Sequence, residues 1–209
     1  MDKSTKNIPV DEVRNEHVVV RIKSDDGRTV ESHRQILLKN KKAIFAKIGK
    51  GLSSTFANQL NKQIENKIPT YLFLAVYEGW DKPFSLIKCE LSGVYTALND
   101  SQLNLVPKYL HPMQKMISTW FEIKSLKWIA QQETKRICMF TSGKEISSSL
   151  RGTTALFRVV IKGASPIKEI ADHVFNEKKK ESNFSDDFAE IEEDFDQDEI
   201  DSIVGSRNR

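Results

Sequence analysis

Residues 70–78, TYLFLAVYE, hold no charge before their last position and too little polarity to face water on either side. A strand of that composition belongs at the centre of a sheet. Pro69 precedes it, a Gly-Trp-Asp-Lys-Pro turn follows at 79–83, and a second apolar run, FSLIKCELSGVYT, occupies 84–96. The simplest pairing of the two is an antiparallel hairpin, with a bend or bulge near Gly93. Whatever else the chain forms must cover this hairpin.

The remaining segments supply that cover. HVVVRIK at 17–23 is a β-branched strand closed by an Asp-Gly turn signal. Residues 29–39 are read as further strand at both ends, with a short helix as the alternative. Residues 42–50, KAIFAKIGK, alternate imperfectly between apolar and basic positions and stop at Gly49 and Gly51. Ser53 or Ser54 caps a helix reaching about Asn66, with Phe56, Leu60 and Ile64 on one face. Residues 98–112 hold only short helix or loop. Strands are expected within 117–129, 135–141 and 154–162, with a helix at about 144–151. Six or seven strands, two modest helices and no βαβ rhythm predict an α+β domain over 16–163, built on a small, partly closed antiparallel β-barrel. Residues 1–15 read as a mobile leader.

Charge is sorted by position. Of 32 Lys/Arg and 29 Asp/Glu, residues 164–209 hold 6 and 14, a net of −8, leaving 26 and 15, a net of +11, in residues 1–163. Ser165-Pro166 opens an expected helix over 164–180. Residues 181–209 read as an acidic, largely disordered tail, in which Phe184, Phe188, Ile191 and Phe195 fall at helical spacing and are the candidates for docking a protein partner. A basic body with an acidic tail points to polyanion binding by the body, and to a tail that competes for it or recruits something else.

Composition narrows the class further. There is no run near the ~20 apolar residues that span a bilayer, and residues 1–15 lack the apolar stretch of a secretory signal, so a cytoplasmic protein is expected. Cys89 and Cys138 sit in apolar strand runs without CxxC spacing and read as reduced, buried thiols. The four histidines show no ligand spacing, so no metal or other cofactor is expected. No nucleophile elbow or convincing carboxylate pair occurs, which favours a binding protein over an enzyme. The lysine-rich run 39–54 offers Lys39, Lys41, Lys42, Lys47 and Lys50 ahead of two glycines and the cap residues Ser53 and Ser54, a setting for a phosphate. A plain lysine-rich surface hairpin is the competing reading. Lys144 and Arg151 are further phosphate candidates. Among Trp80, Trp120, Trp128 and Tyr109, the first two are the candidates for stacking a base, with core packing the competing reading for both.

The order of 42–54, the helix ending NKQIENKIP, and the hairpin 70–95 resembles the opening of PUA-superfamily domains, including the EVE-like modified-base readers; 117–126 and 154–161 resemble the closing strands. The resemblance covers residues 17–162 in outline. It implies binding of RNA or a modified or flipped DNA base, often as the recognition part of defence or RNA-processing systems, with Trp80 and Trp120 matched to the base-contacting aromatics. The alternative function is a protein adaptor acting through residues 181–204.

Overall fold

The computed structural model describes residues 15–23, 27–77, 84–151, 155–163 and 165–170. The hairpin forms as its composition requires: β3 (Tyr71–Tyr77) pairs antiparallel with β4 (Ser85–Tyr95), Leu74 opposite Ile87. Along β3 the side chains alternate between two cores. Leu72, Leu74 and Val76 enter one, and Phe73 and Ala75 the other, so both faces of the strand are dry. β1 (Glu16–Lys23) lies parallel to β3, and its Val18 and Val20 oppose Val19 in the same way. That two-sided burial is why β3 is continuously apolar and β1 is so from Val18 to Val20.

β4 is long because it serves more than one partner. Its first half pairs with β3 and with β6 (Lys127–Trp128), and from Leu91 to Tyr95 it pairs with β5 (Ile117–Ile123), with a register shift between Leu91 and Gly93. The Tyr95 ring occupies the space a Cβ on Gly93 would need, which gives the bend expected there a steric reason. β2 (Ala43–Ile48) pairs antiparallel with β5, β8 (Leu156–Ile161) with β1, and β7 (Ile137–Met139) with β8. The eight-stranded sheet runs β2-β5-β4-β3-β1-β8-β7, with β6 beside β4. The α+β class holds, but the sheet does not close: β2 and β7 are its free ends, and one strand pair is parallel. The expected barrel is corrected accordingly.

Two helices cover one face. α1 (Arg28–Asn40) replaces the strand expected at 29–39. It buries Val30 and His33, with Ile36 and Leu37 packed against the same core, a helical period that runs through a histidine instead of a hydrophobe. The His33 ring joins α1 to β2, with Nδ1 2.7 Å from the Thr29 carbonyl and Nε2 3.2 Å from that of Ile44. α2 (Ser54–Glu65) is capped by Ser53, whose Oγ accepts from the Phe56 amide, and it buries Phe56, Ala57 and Leu60. The 98–112 stretch contains α3 (Asp100–Leu103) and covers the back of β2 and β5 with Val106 and Leu110, against Ile44, Ile117 and Trp120. α4 (Ile146–Ser149) sends Ile146 into the second core.

Residues 165–170 are extended where a helix was expected. Backbone groups of 168 and 170 pair with those of 130 and 128, and Glu169 bridges to Ile129. Pro166 biases the preceding residue away from helix, and the edge of β6 supplies the partners. Cys89 and Cys138 are buried and free, on β4 and β7. No helix among the described residues is long and apolar enough to cross a membrane. Residues 1–14 of the expected leader and residues 171–209, with the rest of the expected 164–180 helix and Phe184, Phe188, Ile191 and Phe195, lie outside the described residues.

Candidate nucleic-acid interface

Parallel pairing of β1 and β3 starts both strands at the same end of the sheet, and this places His17 beside Tyr71. The Tyr71 amide donates to His17 Nδ1 at 3.3 Å, and the two rings are 5.1 Å apart between centroids. Burial pushes the His17 imidazole down to about 4, so it is neutral at physiological pH. α2 braces this corner from behind. Gln63, itself buried, accepts from the Glu16 amide at 2.9 Å and donates to the Glu16 carbonyl at 2.8 Å and to Thr70 Oγ1 at 3.1 Å.

Above the corner opens a cleft of about 880 Å³. His17 and Tyr71 line one side; the β7 turn from Met139 to Gly143 and the end of β8, with Gly163 and residues 165–167, line the rest. Gly143, at φ 66°, makes the turn in the left-handed region that glycine tolerates. Lys162 ties the turn to β8 by donating to the Gly143 carbonyl at 2.9 Å. Phe140 lies under the Arg158 guanidinium, 3.8 Å from ring centroid to Cζ, and Arg158 in turn pairs with the buried carboxylate of Glu16. Arg136 fixes the opposite rim. Its guanidinium donates to the carbonyls of Lys162 (2.9 Å), Pro166 (3.3 Å), Gly163 (3.4 Å) and Ser165, and pairs with Glu133 at 2.7 Å. The cleft thus joins three ring-bearing side chains to hydroxyls of Thr141 and Ser142, on a frame held by side-chain hydrogen bonds.

The residues anticipated from sequence lie elsewhere. Lys39 lies in the last turn of α1, Lys41 and Lys42 between α1 and β2, Lys47 in β2 and Lys50 after it, at the opposite end of the strand order from β8 and β7. Lys42 is committed to Glu122 at 2.7 Å. That carboxylate is buried, which alone raises it, but hydrogen bonds from Lys42 and Ser92 outweigh burial and hold it below the usual range. The Lys47 ammonium meets the Ile48 carbonyl. The glycine-serine run is also occupied. Ser118 and Thr119 fill the space a Cβ on Gly51 would take, and Thr119 Oγ1 accepts from the Leu52 amide at 3.0 Å. Ser53 caps α2 and Ser54 opens it, both exposed. Lys39, Lys41 and Lys50 are exposed along the same run. Trp120 is 4% exposed within the third core, so it is no stacking platform, and Trp128 is buried in the first. Tyr109 is exposed beside His33. Trp80 lies outside the described residues. Of the anticipated set, Lys144 follows the cleft turn directly and Arg151 ends the α4 segment, both exposed. Parallel register and turn packing, which no local sequence pattern carries, bring His17, Tyr71, Phe140 and Lys162 together.

No family model matches the chain, and no curated protein matches it. Among solved structures it is similar to the YTH domain of Zygosaccharomyces rouxii MRB1 protein, crystallised in complex with N6-methyladenosine RNA. The similarity has a TM-score of 0.29 and 11% identity, and covers 83% of this chain and 87% of that one. With overlap of that extent, a functional reading rests on the geometry of the cleft itself.

Proposed function

We propose that the chain is a non-catalytic nucleic-acid-binding module that takes an unpaired base of RNA or DNA into the cleft between the start of β1 and β3 and the 139–143 turn. The observation that carries this reading is the assembly of Tyr71, His17 and Phe140 around one open cleft, in a body whose residues 1–163 have a net charge of +11. Stacking on an aromatic contributes about 1–3 kcal/mol per base, whatever the base. The Thr141 and Ser142 hydroxyls then meet its polar edge, and Lys144 and Lys162 stand where a backbone phosphate would pass. A neutral His17, its Nδ1 taken by the Tyr71 amide, keeps only its Nε2–H to donate.

The test is a titration of the protein with single-stranded and duplex RNA and DNA at two salt concentrations. Salt-sensitive binding, tighter for single strands, is expected because phosphate contacts release counterions. Absence of salt-sensitive binding at micromolar protein overturns the reading.

A further inference from the structure

A second, smaller pocket of about 110 Å³ lies between the residues that follow β6 and α4, lined by Phe84, Gln131, Thr134, Ser147, Leu150 and Arg151. Thr134 is 5% exposed, and its Oγ1 is the one buried side-chain nitrogen or oxygen among the described residues that has no hydrogen-bond partner. Such an atom is costly to leave unmade, and natural folds keep few of them. Arg151 is exposed and engages no carboxylate among the described residues. Arg21 brings a second guanidinium to the same turn, donating to the Leu150 carbonyl at 2.9 Å. Phe84 and Leu150, both buried, close the apolar side.

The polar side is composed of groups able to donate: a guanidinium, two hydroxyls and a carboxamide. The volume corresponds to roughly three or four waters at about 30 Å³ each, which suits one tetrahedral oxyanion. A planar carboxylate has two oxygens to offer such a set, whereas a phosphate group has enough for the guanidinium fork and the hydroxyls together. The geometry points to this pocket as a binding site for a phosphate-class oxyanion, with Arg151 as charge partner and Thr134, Ser147 and Gln131 as hydrogen-bond donors. The site stands whether or not the cleft holds a base. The same chemistry is presented by a polynucleotide phosphodiester and by a free phosphate or monoester.

The experiment uses the full chain with two probes, inorganic phosphate against chloride at constant ionic strength, and a short single-stranded oligonucleotide. Binding is followed calorimetrically for the unmodified protein, Thr134→Val, Thr134→Ser and Arg151→Gln, with melting recorded for each. Thr134→Val keeps shape while removing the unpaired hydroxyl, so its melting temperature should be equal or higher without ligand. Both Thr134→Val and Arg151→Gln should weaken the same probe by about tenfold or more, and Thr134→Ser should retain binding. Loss confined to inorganic phosphate identifies a free phosphate or monoester; loss that extends to the oligonucleotide identifies the backbone. If Thr134→Val leaves both probes unchanged, the pocket does not hold the anion, even if Arg151→Gln weakens them through surface charge, and the inference is overturned.

Discussion

At the scale of single residues, the cleft depends on two rings that open adjacent strands. Tyr71→Ala should weaken oligonucleotide binding by about 1–3 kcal/mol, the contribution of one stacked base. Tyr71→Phe should keep most of the affinity, since the phenol oxygen plays no part in stacking. Anisotropy titrations of both variants check this, and equal affinity for Tyr71→Ala and the unmodified protein removes Tyr71 from the site. His17 makes a separate prediction. Its folded value of about 4 lies below the unfolded 6.5, so the unfolded chain takes up a proton that the folded chain resists. The associated stability is fully present above pH 6.5 and is lost as pH falls to about 4, on the order of 3 kcal/mol. Melting between pH 7 and 4 should fall more steeply for the unmodified protein than for His17→Gln; parallel curves contradict a buried neutral imidazole.

At the scale of elements, the strands were the legible part. β3, β4 and α2 fall where apolar continuity, the 79–83 turn signal and the Ser53 cap put them, because those signals are local. α1 departs from the strand expected there because its buried face passes through His33, whose ring nitrogens lie 2.7 and 3.2 Å from two carbonyl oxygens and which so packs where a hydrophobe was sought. The 165–170 segment was misread because an unpaired strand edge overrode helical composition. The cleft itself was illegible: Tyr71 and His17 are 54 positions apart in the chain, and only the parallel β1–β3 register joins them. Element packing also gives a steric prediction. Gly51→Ala sets a Cβ against Ser118 and Thr119 on β5, an overpacking that typically costs about 1–3 kcal/mol. Chemical denaturation measures it. An unchanged midpoint shows that the turn before α2 relaxes freely.

At the scale of the whole molecule, charge is divided between a basic body and acidic residues 181–204, which hold 11 carboxylates and no Lys or Arg. Tethering keeps those carboxylates at high effective concentration around the body. Deletion of residues 181–209 should therefore tighten oligonucleotide binding at low salt, with the gap closing as salt screens the charges. Equal affinities across the salt series favour recruitment of a protein partner by that segment. The central claim is that the cleft, and not the lysine run at 39–54, receives the nucleic acid. Amide chemical-shift mapping of the full chain with a short single-stranded oligonucleotide tests it directly. The largest shifts should fall at Tyr71, at residues 139–144 and at 160–163. Shifts concentrated at residues 39–54, or no shifts in the cleft at saturation, would contradict the account.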